Sequence, residues 1–329
     1  MSGEKPERLG MRGFDAEFVD LPHYIRVITD RIWEGRRIDD ITRYYSDPCI
    51  VETPLGVSCA VRDVIAGTEA TLKMFPDRRL LAEDIIVSGD DDNGYLSSHR
   101  IISPMTHLGD GSFGPASGKR VHARTIADCV CKDNRIIHEW LVRDHAAIAY
   151  AIGSTPKALA ARWLAERGGW RKPVAGNAPD GYVSHVSTTP LATRYAASIE
   201  RFTENRHDAL DGCEIYDEAV HQIAPGEAHH YGHAELHAFW RALFSAFEVM
   251  DFCVEHLTQD ISADRGTRVA MRWRATAKHA ARGEFGQRFG QATGRSVDIM
   301  GINHAEFKGG KVIREWVLTD EVAMWMQVL

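Results

Sequence analysis

No run of 18 apolar residues occurs in this 329-residue chain, so it lacks the sequence mark of a membrane-spanning helix. Its first stretch, MSGEKPERLGMRGFDAEF, is charged and has no apolar centre of the kind found in a secretory leader. Basic residues are outnumbered, with 39 Lys and Arg against 46 Asp and Glu and a net charge of −7. No basic run gathers on one segment, which weighs against a nucleic-acid binder and against polybasic attachment to lipid. Cysteine is sparse: Cys49, Cys59, Cys129, Cys131, Cys213 and Cys253 are too spread for a disulfide framework. Cys129 and Cys131 point the same way from a strand-like run, but no matching pair supplies the other two ligands of a metal site. Gly-rich phosphate loops and Gly-x-Ser-x-Gly elbows are lacking as well. A cytoplasmic protein with reduced thiols is the expectation these gaps leave, with no metal, no nucleic acid and no membrane as partners.

What the chain does have is a repeat of itself. Gly118-Lys119-Arg120-Val121 matches Gly294-Arg295-Ser296-Val297 at an offset of 176 residues. The same offset carries Ile137-His138-Glu139-Trp140 onto Ile313-Arg314-Glu315-Trp316 and Asp144 onto Asp320. Earlier in each half the offset is 172, bringing Glu83 onto Glu255, Arg100 onto Arg272 and His107 onto His279. The four extra residues of the second copy fall at a Gly-rich tip, where insertion is cheap.

Each half opens with a helical stretch, Tyr24 to Trp33 and Ala192 to Asn205, with Pro22 or Pro190 near its start. A turn-rich stretch with Pro54 or Pro225 precedes a second helix, and β-branched runs separated by hairpin turns follow. Helices first and an antiparallel sheet afterwards predict an α+β half-open barrel in each half. The divisions are residues 1–19 as an N-terminal extension, 20–153 as the first domain, 154–190 as a linker with a short helix, and 191–329 as the second domain.

Three motifs occur in order, twice, and carry a resemblance. Thr106-His107-Leu108-Gly109, Pro115-Ala116-Ser117-Gly118-Lys119-Arg120-Val121 and Ile137-His138-Glu139-Trp140 with Asp144 resemble the strand end, hairpin and last strand of the SnoaL-like branch of the nuclear transport factor 2-like superfamily. The resemblance implies two tandem cone-shaped α+β barrels, each a cystatin-like curved antiparallel sheet closed by helices around a pocket. It also implies polyketide-cyclase-type acid–base chemistry without a cofactor. One departure bears on mechanism. The family's acid–base aspartate directly follows the position of Trp140, where this chain has Leu141 and, in the second copy, Val317. Asp144 and Asp320 stand three residues on, each before a helical run, and read as helix N-caps.

Alternation puts Ile137, Glu139, Leu141 and Arg143 on one strand face, and the family position makes that the pocket face. Glu139 and Glu315 then point inward, where desolvation suits a carboxyl to proton transfer, or where Arg100 and Arg272 on a neighbouring strand hold them in ion pairs. His221 falls at a polar pocket position of the family, opposite Val51 of the first copy, and Asn303 lies inward where the first copy has Ala127. His107 and His279 share a strand end near the mouth of the cone. These placements make the second pocket the more polar one. The expected constellation is Glu315 as principal acid–base group, His221 as its partner and Arg272 as its orienter. Glu139 takes the catalytic place in the first copy, with Arg100, Arg272, Asn303, His107 and His279 contacting substrate. The run His229-His230-Tyr231-Gly232-His233 with His237 reads as a solvated helix start rather than a metal site. The partner is then a small molecule, apolar or carbonyl-bearing, that is cyclised, isomerised, dehydrated or hydrolysed. A non-catalytic binding or assembly module is the alternative that the missing aspartate leaves open. Apolar residues on both faces of the late strands predict that the two sheets pack together as an intramolecular pseudo-dimer, with further homo-oligomerisation left open.

Overall fold

The computed structural model describes residues 11–174, 179–180, 182–204, 212–283 and 285–329. The first ten residues of the extension, residues 175–178 and 181 of the linker, and Asn205 at the expected helix end lie outside the described residues.

The first half begins with α1 (Leu21–Thr29), whose N-cap Asp20 accepts the His23 N–H and whose first turn holds Pro22. A short α2 (Ile41–Tyr44) leads into β1 (Tyr45–Thr53) and β2 (Gly56–Ser58), and then comes α3 (Val61–Met74). Four long strands follow: β3 (Leu81–Asp90), β4 (Gly94–Thr106), β5 (Arg120–Lys132) and β6 (Arg135–Arg143). Two helices, α4 (His145–Ile152) and α5 (Pro156–Arg167), lead toward the second half. The order then recurs with α6 (Pro190–Thr203), β7 (Tyr216–Ala224), β8 (Ala228–Tyr231), α7 (Gly232–Ala246), β9 (Phe247–Ser262), β10 (Gly266–His279), β11 (Ser296–Lys308), β12 (Lys311–Thr319) and α8 (Glu321–Val328).

Two six-stranded sheets result, ordered β2-β1-β6-β5-β4-β3 and β8-β7-β12-β11-β10-β9. Both are mixed, which corrects the expected antiparallel sheet. β1 joins β6 in parallel and β7 joins β12 in parallel, while all other pairings are antiparallel. The stretches before Pro54 and Pro225, read from sequence as turns, are these added strands. Asp144 and Asp320 do cap helices: Asp144 accepts the Ala147 N–H, and Asp320 accepts those of Val322 and Ala323.

Period-two alternation gives each sheet one face toward its own helices and one toward the other sheet. Leu96, Ile126, Val130, Trp140 and Val142 of the first sheet form a single apolar cluster with Met300, Ile302 and Leu318 of the second, joined by Tyr182. Polar partners cross the same boundary. Ser98 Oγ lies 2.8 Å from His304 Nε2, Ser88 Oγ 3.0 Å from His256 Nε2, and Arg274 donates to Glu52 over 2.8 Å. Arg268 and Arg265 both reach Asp84, and Arg124 reaches Glu227. Asp144 completes the junction by also accepting N–H bonds from Gly226 and Glu227 of the second half.

Candidate active site

The residues that face away from this interface give different interiors in the two halves. In the first, they enclose a cavity of about 570 Å³ between sheet and helices, a size suited to a small organic molecule. Ile25, Ile28, Trp33, Val51, Ile101 and Leu141 supply apolar wall. In the second half the equivalent volume is filled by side chains, which corrects the expectation that the second pocket is the polar working one. Strand register makes the comparison residue by residue. Ile101 pairs with Thr125, whereas its counterpart Trp273 pairs with Gly301. The Trp273 indole lies so close over Gly301 that a Cβ there would sit 2.2 Å from the ring. The helices agree: α3 presents Gly67, Thr68 and Thr71 to the cavity, and the matching turns of α7 carry buried Phe239, Trp240 and Leu243. Small side chains hollow the first cone, and large ones plug the second.

Glu139 lies in the wall of the first cavity, buried, with Tyr45 Oη 3.5 Å from its carboxylate. Burial pushes its carboxyl up to about 7, with Arg143 and the Tyr45 hydroxyl pulling only partly the other way. His99, on β4, lines the same cavity with its Nε2 unpartnered, and burial lowers the imidazole to about 3, so it is neutral in the physiological range. Arg78, Arg143 and His145 also line the wall, and Asp320 reaches it from the second half with Oδ2 2.7 Å from His145 Nδ1.

Glu315 occupies the place of Glu139 in the second cone but is fully enclosed. Tyr195 donates to one of its oxygens, Tyr216 donates to the same oxygen over 2.9 Å, and Gln222 Nε2 donates to the other over 2.8 Å. Burial raises its carboxyl too. Asn303 belongs to the same closed network, accepting from Trp273 Nε1 at 3.1 Å and donating to Tyr195 Oη at 3.2 Å. Both residues point inward as expected, but into packed side chains.

The constellation expected around Glu315 does not assemble. His221 pairs across to Arg314, and it is Gln222 that lies beside Glu315, just as Val51 lies beside Glu139. Aligning His221 with Val51 is thus wrong by one residue, and one residue in a strand reverses the face. His221 instead stacks on Tyr231 and His229 near the edge of its sheet. Arg272 does not orient Glu315. It donates to Asp128 of the first sheet and to Glu255, and lies 3.7 Å over the Trp140 ring. Arg100 does not hold Glu139 either, being bound to Glu83 and His304 and lying 3.4 Å over Trp316. Both arginines sit on the interface face because their strand parity is that of Ile126 and Leu96. Ile137 is displaced to that face as well, by the register shift between Val130 and Cys131, and Ile136 takes its place at the cavity. His107 and His279 clamp hairpins, with Nδ1 atoms 3.2 Å from Ser117 Oγ and 3.0 Å from Thr293 Oγ1, and neither lines the large cavity. His233 bonds the Tyr216 carbonyl, and no group of three metal-ligating side chains occurs among the described residues.

Sequence reasoning missed Arg78, His99, His145, Asp320 and Tyr45 at the cavity. Parity was the available signal for His99, which lies two residues before Ile101 on β4. Nothing local marks Asp320, which comes from the other half.

Comparison with known proteins agrees with the duplication. The family described as SnoaL-like polyketide cyclase matches residues 24–152, and the family described as SnoaL-like domain matches residues 195–315. No curated protein matches the chain. Solved structures similar to it include IdmH from Streptomyces antibioticus, at 17% identity, 40% of this chain, 97% of the other and TM-score 0.35. A SnoaL-like polyketide cyclase from Agrobacterium tumefaciens gives 19%, 40%, 98% and 0.33. TsrD from Streptomyces laurentii gives 17%, 43%, 98% and 0.36. The chain belongs to the SnoaL-like family and carries two of its domains in tandem, one hollow and one filled.

Proposed function

We propose that the cavity of the first domain takes a mid-sized, largely apolar molecule bearing a carbonyl, and that Glu139 exchanges a proton with it. The reaction class is cyclisation, isomerisation, dehydration or hydrolysis of the polyketide-cyclase type. The observation that carries this reading is the Glu139 carboxyl, poised by burial near pH 7, in the wall of a cavity of substrate size. Leu141 stands at the family's aspartate position and supplies apolar wall, so Glu139, two residues earlier on the same face, is the nearest carboxyl able to act in its stead. The second domain serves as a scaffold: its Glu315 spends both oxygens on Tyr195, Tyr216 and Gln222.

A second reading, binding without turnover, is favoured by the same Leu141. Mass spectrometry of small molecules retained by the purified chain, followed by incubation of the identified compound with the protein, separates the two. Under the enzymatic reading the compound is converted, and Glu139→Gln slows conversion by about 100–10,000-fold while Glu315→Gln leaves it near the wild-type rate. A compound bound and released unchanged supports the binding module, and full activity in Glu139→Gln removes Glu139 from the chemistry.

A further inference from the structure

Two arginines of the first cavity form no ion pair among the described residues. Arg78 follows α3, with its backbone N–H on the Phe75 carbonyl, and Arg143 ends β6 on the same face as Glu139 and Leu141. Among the described residues neither guanidinium makes an ion pair or a side-chain hydrogen bond, and Arg143 Nε is buried and unpartnered. Both line the large cavity, and both also line a small crevice adjoining it, walled by Phe75, Phe113 and Ile148. The acids nearby are already committed. Glu34 is bound to Arg79 and to the Leu80 N–H, and Asp320 to its helix cap and His145. Glu139 holds its proton up to about pH 7. Asp63 and Arg167, the other charged residues of the lining, are exposed. Burial and the charges of Arg143 and Arg36 push Arg78 down to about 9, and burial lowers Arg143 although Asp320 and Glu139 pull it the other way.

Arg78 is buried and Arg143 half-buried, and a charge withdrawn from water without a partner is costly. By register, the filled cone has buried Thr319 where the hollow one has Arg143, so the charge goes with the cavity and is not required by the fold. We propose that Arg78 and Arg143 form the anion-recognising end of the cavity, and that its ligand is an organic acid: an apolar body against Ile25, Ile28 and Trp33 with one carboxylate between the guanidiniums. The proposal rests on the reading of this cavity as a small-molecule site. Guanidinium suits the task because its planar donors match a carboxylate in paired, charge-assisted hydrogen bonds.

Calorimetric titration at pH 6.0, where Glu139 keeps its proton and a carboxylate ligand is ionised, with 2-naphthoate and with the uncharged 2-naphthamide tests it. The expected result is wild-type binding of naphthoate at least about tenfold tighter than naphthamide, falling to within about twofold in Arg143→Gln and in Arg78→Gln, with naphthamide affinity unchanged. Arg143→Lys should keep part of the preference. Melting temperatures of the two glutamine variants should equal or exceed the wild type, since an unpaired buried charge has been removed. Equal affinity for both probes, or a preference that survives both glutamine variants, overturns the anion site and leaves the cavity reading intact. A variant that loses both probes together with its melting temperature marks a structural arginine and also overturns it. If neither probe binds the wild type, the small-molecule reading itself falls, and the proposal with it.

Discussion

The Arg272 guanidinium of the second sheet lies 3.7 Å over the Trp140 indole of the first, and Arg100 of the first lies 3.4 Å over Trp316 of the second. The two stacks exchange under the repeat, and each arginine also bonds its own domain, Glu255 or Glu83. The symmetry breaks at the far end of each guanidinium, where Arg272 meets Asp128 and Arg100 meets His304. Only one of these two stacks therefore ends in an ion pair across the boundary.

That asymmetry sets a stability prediction. Arg272→Ala leaves Asp128 buried without its cation and should cost about 3–5 kcal/mol in urea unfolding. Adding Asp128→Ala should recover part of the loss, because the two residues act on each other. A single-variant loss below about 1 kcal/mol would show that the pair does not hold the sheets.

Glu139 predicts a pH dependence. Its folded carboxyl titrates at about 7, above an unfolded glutamate near 4.3, so between these values the folded chain binds more protons than the unfolded one. Stability contributed by this group is full at low pH and falls as pH rises through 7. Glu139→Gln removes the dependence. Its unfolding free energy should match the wild type near pH 4.5 and exceed it above pH 7.5, by an amount on the order of 2–4 kcal/mol. A difference that is constant with pH would contradict the burial of this carboxyl.

Helix capping gives a comparison within one chain. Thr155 caps α5 through the Ala158 N–H alone, whereas Asp144 caps α4 and also accepts from Gly226 and Glu227 of the other domain. Thr155→Ala should cost about 1 kcal/mol. Asp144→Ala strands three N–H groups at the junction and should cost about 2–4 kcal/mol. Chemical denaturation of both variants checks the order, and equal losses would mean that the junction bonds add nothing.

The filled cone suggests how to plug the hollow one. Ile101→Trp with Thr125→Gly copies the Trp273 and Gly301 pair into the first domain. The double variant should fold with unchanged circular dichroism and lose cavity ligands, while either change alone is poorly accommodated. Ligand affinity equal to the wild type would place the binding site elsewhere.

Much of this architecture was legible because duplication doubles the signal: turns, hairpins and the capping aspartates appear twice at fixed offsets. The interface and the cavity followed from parity where strands are regular, as at Ile126 and Glu139. Parity failed at Ile137, where a register shift moves one side chain across the sheet, and at His221, where an alignment error of one residue reversed a face. β1 and β7 escaped notice because their parallel partners lie some 90 residues away, and the hairpins that join them to β2 and β8 read only as turns at Pro54 and Pro225. Polarity misled in the second cone. Glu315, Asn303 and His221 looked like the furniture of a pocket, and only three-dimensional contacts reveal that Glu315 is satisfied by Tyr195, Tyr216 and Gln222, and Asn303 by Trp273 and Tyr195.

The strands β5 and β6 form a party wall, one residue thick, between the cavity of the first domain and the neighbouring domain. Trp140 on one side and Glu139 on the other are consecutive in the chain. Such a wall cannot slide. Inserting a single residue ahead of Glu139 would swing Trp140 into the chamber and the carboxyl into the joint, ruining both at once. The two rooms are therefore tied to one another's evolution: changes in what the chamber holds must arrive by substitution in place, or by shifts at the strand ends and helices, where the wall is not shared.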